Sequence, residues 1–400
     1  MRESRKKLSI DALTDLLRDR VSLCIICFSD SWGGVEQIVV NDAIDLSELG
    51  LKVNVLCLDG SPIHENLRNK DRVELSLIDF KPSTFIDLKL KRVIDEQVKK
   101  GINVFYTHQT SLMGTLVPSF FNRPSCVLLA CKHFMSRRNN KTPFTALLYK
   151  RLDSLVVINQ ILRKNVLETL PVNHRKVKVI HLGLDFNRFD PDQVDPTVQR
   201  AKWDADEDTV VIGMVGRIDP AKGQEAFIKA AAGLTKRPRK GEKLKFVIVG
   251  EQTLGTTGDY LEELKKMVSQ FQLDGHVIFD GYQDNIPEVM RAFDIFVMPS
   301  KQEALGLVAV EAMAMECPII ISRGISARDV VGEGEFGLLM RPGDAFDLQQ
   351  SLRYLIDNPM KRVQIGQKAR SHVVGYYDRR VRVHKTLDLF SRVLKQRELG

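Results

Sequence analysis

The sequence lacks several features that would each define a function class. It has no run of about 18 apolar residues, the length that a membrane-spanning helix needs. Its basic first residues are not followed by an apolar signal-peptide core, so we expect a cytoplasmic protein. It has neither zinc-finger spacing nor an aromatic and basic RNA-binding signature, which argues against a nucleic-acid partner. Aromatic residues make up only 7% of the chain, and tryptophan occurs twice.

The cysteines indicate a reducing compartment. Most of them lie inside apolar, strand-like runs, a pattern that favours buried thiols over a disulfide framework. Cys24 and Cys27 have CxxC spacing, but within a strand they would face opposite sides. A redox motif would need a helix N-terminus at this point, so we predict structural thiols. The six cysteines are Cys24, Cys27, Cys57, Cys126, Cys131 and Cys317.

Length and charge bound the architecture and the partner. A chain of 400 residues exceeds one comfortable hydrophobic core, so two domains are expected. The formal net charge of +8 favours an acidic partner, such as nucleotide phosphates or anionic lipid.

Short apolar runs alternate with helical segments in both halves of the chain. This alternation predicts α/β domains with doubly wound parallel sheets. Ligands of such sheets bind at the carboxyl ends of the strands, which is where Gly33, His108 and His133 fall. The predicted strands are 21–28, 51–58, 73–78, 103–107, 126–131, 154–158 and 177–181, then 209–216, 244–250, 276–281, 294–299 and 318–322.

Two cations follow the first strand of the second half. Arg217 and Lys222 are spaced so that both can converge on a diphosphate, the guanidinium as a fork and the ammonium as a point charge. The alternative interpretation is a pair of surface charges that flank a turn. The preceding D-x-D run at Asp204, Asp206 and Asp208 has the pattern of a divalent-metal site, which would close a strand. Here it comes before a strand, so we interpret it as a solvated turn.

The stretch 299–322 combines a loop, a short helix and a buried strand. Glu303 and Glu311 are eight positions apart, a little over two helical turns. A helix that starts near Leu305 would point the N–H groups of Leu305, Gly306 and Leu307 outward, which suits a phosphate. The alternative is an ordinary helix N-terminus with a solvated Glu303 and a capping Glu311.

These motifs together resemble one known family. The glutamate pair resembles the E-x7-E signature of retaining glycosyltransferases of family 4 (glycosyl transferases group 1). Residues 216–223 resemble the family's G-R-x-x-x-x-K-G motif, and 181–185 stand in place of P-N-G-[IV]-D, with Leu182 instead of Asn. The resemblance implies the GT-B fold, in which two Rossmann-like, doubly wound parallel-sheet domains face each other across a cleft. It implies an acceptor-binding domain at 1–188, completed by a helix at about 378–400, and a nucleotide-sugar-binding domain at 189–377.

The resemblance also implies roles for particular residues. Glu303 would hold donor-sugar hydroxyls and Glu311 the ribose, while Arg217 and Lys222 carry the diphosphate charge without a metal or other cofactor. His133 contacts the donor sugar in relatives, although a structural histidine is the alternative, and His108 is not expected to take part in chemistry. Further donor-binding positions implied by the family pattern are Gly33, Gly34, Gly281, Tyr282, Ala304, Leu305, Gly306 and Leu307.

The implied activity is that of a hexosyltransferase. It would move a sugar, with retention, from a UDP-, GDP- or ADP-sugar to a glycan or lipid-linked acceptor in cell-envelope polysaccharide or lipopolysaccharide biosynthesis. Two alternatives stay open: a sugar-nucleotide 2-epimerase of similar fold, and a non-catalytic nucleotide-sugar-binding protein.

A basic and partly apolar segment at 135–151 suggests peripheral contact with the inner face of an anionic membrane. A solvated helix with one core stripe is the alternative. The residues that carry the membrane hypothesis are Arg137, Arg138, Lys141, Lys150, Arg151, Phe144, Leu147 and Leu148.

Overall fold

A computed structural model gives the fold and describes residues 8–84, 86–136, 138–252, 259–301, 306–324 and 327–398. The chain divides into two compact units, Met1–Gly183 with Arg379–Gly400, and Leu184–Asp378. This division falls before the sequence-based boundary at 188, because the N–H of Leu184 donates to the carbonyl of Tyr377 (2.7 Å) and joins it to the second unit.

The first unit contains a parallel sheet with strand order β3-β2-β1-β4-β5-β6-β7. Chain order reverses between β1 and β4, which is the switch point where ligands bind in open α/β sheets. The strands are β1 (Ser22–Ile26), β2 (Lys52–Leu58), β3 (Val73–Ile78), β4 (Val104–Thr107), β5 (Val127–Lys132), β6 (Ser154–Val157) and β7 (Val177–Val179).

Several helices of the first unit begin at residues whose side chains cap the helix. Asp87 accepts hydrogen bonds from the N–H groups of Lys89 and Leu90, and Thr142 and Thr145 form a capping box. Helix α16 packs on α1, so the end of the chain completes the unit that the beginning starts. The helices are α1 (Ile10–Leu17), α2 (Gly34–Glu48), α3 (Pro62–Leu67), α4 (Leu88–Lys99), α5 (Met113–Phe120), α6 (Pro143–Arg151), α7 (Gln160–Thr169) and α16 (Arg379–Glu398).

The second unit contains a parallel sheet with strand order β10-β9-β8-β11-β12-β13 and a switch point between β8 and β11. Its core packs the apolar faces of α9 and α14 against the sheet. The strands are β8 (Thr209–Val215), β9 (Lys243–Val249), β10 (Val277–Gly281), β11 (Ile295–Met298), β12 (Ile319–Ser322) and β13 (Leu338–Met340). The helices are α8 (Thr197–Lys202), α9 (Gln224–Thr235), α10 (Tyr260–Gln270), α11 (Ile286–Ala292), α12 (Leu307–Ala314), α13 (Ala327–Val331), α14 (Ala345–Asp357) and α15 (Pro359–Tyr377).

The two doubly wound parallel sheets confirm the predicted fold class. All six cysteines are free and buried, as predicted for structural thiols. Across the described part of the chain, no helix combines the length and the apolar character that a bilayer crossing requires.

The basic segment around α6 differs from its prediction at two positions. Arg151 does not contribute to a basic surface, because its side chain is 8% exposed and pairs with Asp153. Leu148 is buried as well, whereas Phe144 and Leu147 are about half exposed. Arg137 lies outside the described residues.

Candidate functional site

The loop after β8 carries the predicted pair of cations, Arg217 and Lys222. Arg217 follows Gly216 at the end of the strand, and its side chain is exposed. Among the residues that the structure describes, no carboxylate forms an ion pair with the Arg217 guanidinium. Lys222 ends a short 3-10 turn, Pro220–Lys222, whose start is capped by the side chain of Asp219. The strand end therefore presents both cations from one short loop.

Gly223 connects this loop to α9 and determines what lies beside it. Its φ of +84° is left-handed, and a Cβ at this position would lie 2.4 Å from the carbonyl oxygen of Pro299. Only glycine combines that conformation with so close an approach. The N–H of Lys301 donates to the carbonyl of Ala221 (2.8 Å). The loops after β8 and β11 are thus held together at the switch point of the sheet.

The loop after β11 leads to the amino end of α12. Gly306 is the N-cap and has no side-chain cap, and the helix begins at Leu307. The sequence-based start near Leu305 was therefore too early. The N–H groups at this end are among those that a helix leaves without an internal partner, and they favour an anion. Glu303, Ala304 and Leu305 lie outside the described residues.

Glu311 lies in the middle of α12 and is 8% exposed. Burial raises the pKa of its carboxyl from 4.5 to about 7, and the charge of Arg188 partly opposes this rise. No hydrogen bond or ion pair to the Glu311 side chain is found within the described part of the chain. A buried carboxylate without a partner is costly unless a ligand supplies hydrogen-bond donors.

The loops after β9 and β10 form the adjoining edge of the same site. Gly250 donates its N–H to the carbonyl of Gly281 (2.7 Å), and a Cβ on Gly250 would lie 2.1 Å from the carbonyl oxygen of Gly216. Tyr282 follows Gly281 and is 56% exposed. The structure therefore brings Gly281 and Tyr282 to the same sheet edge as Arg217.

The glycine pair of the first unit lies at the amino end of α2. Gly33 is the N-cap and Gly34 the first helical residue, immediately after the end of β1 and its loop. The carboxylate of Glu36, in the first turn, is 7% exposed and lies 3.3 Å from where a Cβ on Gly33 would be. A side chain at Gly33 would therefore press on this carboxylate.

His108 and His133 follow the neighbouring strands β4 and β5, and they contact each other. Nδ1 of His108 lies 3.1 Å from Nε2 of His133, and both side chains are buried. Burial lowers the pKa of His108 to about 3 and that of His133 well below 6.5, and Arg382 adds to both effects. Both imidazoles are therefore neutral near pH 7.

Cys131 joins the two histidines in the one group of described residues that could hold a metal ion. The ligand atoms of these three buried side chains lie within 4.8 Å of one another. Two imidazoles and a thiol form a donor set that suits zinc or a softer transition metal. Burial raises the pKa of the Cys131 thiol to about 12, so the thiol is protonated in the free protein.

A buried ion pair lies close to these side chains. Arg382 of α16 donates from Nε to Oδ1 of Asp42 in α2 (2.6 Å), and both side chains are 4% exposed. Arg382 also donates to the carbonyl of His181 (3.2 Å). Removal of either partner of such a buried pair strongly destabilises the protein, because the remaining charge is left buried without an opposite charge.

Three features were missed from the sequence, two in the first unit and one in the second. These are the contact between His108 and His133, the approach of Arg188 to Glu311, and the pairing of Asp42 with Arg382. Strand pairing brings the ends of β4 and β5 together, since Thr107 of β4 lies beside Ala130 of β5, and the two histidines follow these ends. The position of the two histidines after strands was the only available signal, because the residues in the other two features lie far apart in the chain.

Comparison with known proteins identifies the family. A family model described as Glycosyltransferase Family 4 matches residues 32–188, and one described as Glycosyl transferases group 1 matches residues 195–372. The chain is 23% identical over 377 residues to an Escherichia coli UDP-Gal:alpha-D-GlcNAc-diphosphoundecaprenol alpha-1,3-galactosyltransferase, covering 89% of this chain and 93% of the relative. It is 31% identical over 207 residues to D-inositol 3-phosphate glycosyltransferase 2 of Catenulispora acidiphila, covering 50% of this chain and 47% of the relative. The chain thus spans about half the length of this second relative.

Solved structures share the fold. A glycosyltransferase from Rickettsia africae superimposes with a TM-score of 0.85 at 18% identity, covering 94% of this chain and 99% of that one. Anabaena HepE in complex with UDP superimposes with a TM-score of 0.78 at 20% identity, covering 93% and 100%. These likenesses, together with the two parallel sheets, show the GT-B fold. With both halves matched by its models, the chain belongs to the group 1 glycosyltransferases of family 4, a family of sugar-transferring enzymes.

Proposed function

We propose that the protein transfers a hexose from a nucleoside-diphosphate sugar to an acceptor hydroxyl, with retention and without a metal. The observation that carries this proposal is the junction of two loops in the second unit. Gly223 and Ala221 contact Pro299 and Lys301, so the cationic loop after β8 lies beside the segment that leads to α12. One diphosphate can contact both.

The division of roles follows from the chemistry of each group. Arg217 can bind two diphosphate oxygens and Lys222 can neutralise the charge that grows on the leaving group. The free N–H groups at the start of α12, next to Gly306, favour the same anion. Glu311 would accept hydrogen bonds from the ribose diol, and Glu303 is expected to hold sugar hydroxyls.

The donor and acceptor are proposed from the relatives. The E. coli relative is named for UDP-galactose and a diphosphoundecaprenol acceptor, and HepE was crystallised with UDP. A UDP-sugar donor and a lipid-linked acceptor are therefore the substrates that we propose for this chain. A role in cell-envelope polysaccharide or lipopolysaccharide assembly would follow from such an acceptor.

Nucleotide binding tests the diphosphate site. A ligand that binds only the folded state stabilises it. Because HepE was crystallised with UDP, we expect UDP to raise the unfolding temperature of the wild type more than GDP or ADP does. Lys222→Ala should weaken UDP binding by roughly tenfold or more, as expected for loss of a charged hydrogen-bond partner. Lys229→Ala is the matched control, since Lys229 is an exposed cation of the same unit that lies on the surface of α9 and pairs with Glu225 there.

Equal stabilisation of the Lys222→Ala protein and the wild type by UDP would contradict the proposed diphosphate site. Incubation of the donor without an acceptor separates transfer from epimerisation, because an epimerase would yield a new nucleotide sugar. We also expect transfer to persist in excess chelator. Loss of transfer in chelator, restored by a divalent metal, would overturn the metal-independent mechanism.

A surface of the first unit supports a lipid-linked acceptor. Phe144 and Leu147 of α6 are 49% and 50% exposed, and the exposed cations Arg138, Lys141 and Lys150 lie close to them in the chain. Apolar side chains among cations are the composition that anionic bilayers attract. We propose peripheral contact of this surface with the membrane that holds the acceptor.

Co-sedimentation with vesicles of anionic phospholipid at low salt tests this contact. We expect the double variant Phe144→Ser, Leu147→Ser to bind at least about tenfold less than the wild type, since each apolar side chain that becomes fully buried contributes ~1.5–3 kcal/mol. Leu77→Ser is the control, because Leu77 is a 40% exposed leucine of β3 outside this surface. Failure of the wild type to sediment, or equal loss in the control, would remove the proposal.

A further inference from the structure

The buried imidazole pair is not explained by the expected role of His133 alone. His108 and His133 are 4% and 5% exposed, their rings lie within 19° of parallel, and the ring centroids are 5.2 Å apart. Nδ1 of His108 lies 3.1 Å from Nε2 of His133, the distance of a hydrogen bond. One of these two nitrogens must therefore donate and the other accept.

The charge state limits the arrangements to two. Both imidazoles are buried, and no carboxylate among the described residues forms an ion pair with either, so each ring is neutral and carries a single N–H. If His133 donates from Nε2, the proton of His108 must be on its own Nε2. If His108 donates from Nδ1, its Nε2 is an unprotonated acceptor.

The surroundings of His108 distinguish these arrangements. Its Nε2 is fully buried and has no hydrogen-bond partner among the described residues. A proton there would leave a buried N–H without an acceptor. In folded proteins, buried N–H groups without an acceptor are rarer than buried acceptors without a donor. The arrangement in which His108 donates from Nδ1 avoids an orphaned N–H.

We propose that His108 is a positioning residue, which donates Nδ1–H to Nε2 of His133 and thereby holds His133 in its Nδ1–H tautomer. His133 then presents a hydrogen-bond donor through Nδ1, for which the described residues supply no partner. An N–H donor in a sugar-transferring enzyme suits a hydroxyl oxygen of the sugar. This last step rests on the proposed function, whereas the tautomer does not.

Three variants separate positioning from packing. His108→Asn keeps an N–H donor at the place of Nδ1, whereas His108→Leu removes the donor and keeps an apolar side chain. Tyr106→Phe is the control, because Tyr106 lies against the ring of His108 (centroids 4.7 Å apart) but does not hydrogen-bond to either histidine. Thermal unfolding of each variant establishes that it folds.

Nitrogen-15 NMR of the histidine rings gives the direct readout. The protein is first treated with chelator, because His108, Cys131 and His133 together could hold a metal. We expect His133 to be the Nδ1–H tautomer in the wild type, Tyr106→Phe and His108→Asn proteins. In His108→Leu we expect Nε2–H, the form that free histidine prefers.

Transfer kinetics provide the second readout. We expect His108→Leu to lower kcat/KM for the donor roughly tenfold, and His108→Asn to stay within about threefold of the wild type, from the ordinary contribution of one hydrogen bond. A wild-type His133 with its proton on Nε2, or an unchanged tautomer in His108→Leu, would overturn the inference. Because the NMR result needs no substrate, absence of transfer with every donor would count against the proposed function alone.

Discussion

Glu311→Gln tests the central carboxylate of the second unit through two opposite effects. The side chain is buried in α12 without a hydrogen-bond or ion-pair partner among the described residues. Its negative charge should therefore destabilise the ligand-free protein while it helps to bind a nucleotide. Glutamine keeps the size of the side chain and removes the charge.

The stability effect follows from the pKa. A carboxyl whose pKa is higher in the folded state binds its proton more tightly in that state, so the bound proton stabilises the fold. This stabilisation is lost as the pH rises through the pKa of the folded state. The pKa of Glu311 rises from 4.5 to about 7, and each tenfold change in proton affinity is worth about 1.4 kcal/mol. The ionised carboxylate should thus lower the free energy of unfolding by about 3 kcal/mol at pH 8 and by almost nothing at pH 4.

Urea unfolding followed by Trp203 fluorescence measures this difference within the second unit. Trp203 is 1% exposed and stacks on Phe293, so its emission reports local unfolding. Replacing Trp32 by phenylalanine removes the other tryptophan. We expect Glu311→Gln to be more stable than the parent at pH 8 by about 3 kcal/mol, and equal to it at pH 4. Glu263→Gln, at an exposed position of α10, is the control.

Nucleotide binding should change in the opposite direction. Loss of a charged acceptor for the ribose diol should weaken UDP binding by about ten- to a hundredfold. The reasoning fails if the glutamine variant shows no gain in stability at pH 8, or shows the same gain at pH 4. Unchanged UDP affinity would remove Glu311 from the ribose site while leaving the burial argument intact.

Three other predictions address separate parts of the molecule. Gly223→Ala should lower the free energy of unfolding of the second unit by about 2 kcal/mol or more, because its φ of +84° is left-handed and its Cβ would meet a carbonyl oxygen at 2.4 Å; urea unfolding checks this, and a neutral result would disprove the close approach. Arg382→Met should destabilise the first unit by about 3–5 kcal/mol because Asp42 stays buried and unpaired; adding Asp42→Leu should restore much of the loss, and equal stability of the single and double variants would contradict the pairing. The pH profile of transfer should show no inflection from His108 or His133 near neutral pH, since burial lowers the pKa of His108 to about 3 and that of His133 well below 6.5; an inflection there that disappears in His133→Gln would refute their neutrality.

Local pattern was sufficient to predict most strands. The apolar run at 73–78 coincides with β3, and the run at 154–158 contains β6. Errors cluster at element ends, as at α12, where Gly306 has φ 19° and ψ 86° and delays the helix to Leu307. Glycine at that position favours a cap over a helical residue, which the spacing of two glutamates does not reveal.

Contacts between residues far apart in the chain determine the features that the sequence did not predict. The sequence predicts Arg151 in a basic surface, yet its side chain turns inward to Asp153 and donates to the carbonyls of Phe120, Arg123 and Cys126. Those acceptors come from a segment about two dozen or more positions earlier in the chain. No local pattern of charges marks such a position as buried.

The composition of the first unit has a consequence for the order of events during synthesis. Asp42 pairs with Arg382, which is translated 340 residues later. A nascent polypeptide that has emerged as far as Asp378 already contains every residue of Leu184–Asp378 but lacks the helix that neutralises Asp42. The part of the protein that is made later can therefore reach its native state on the ribosome before the part that is made earlier.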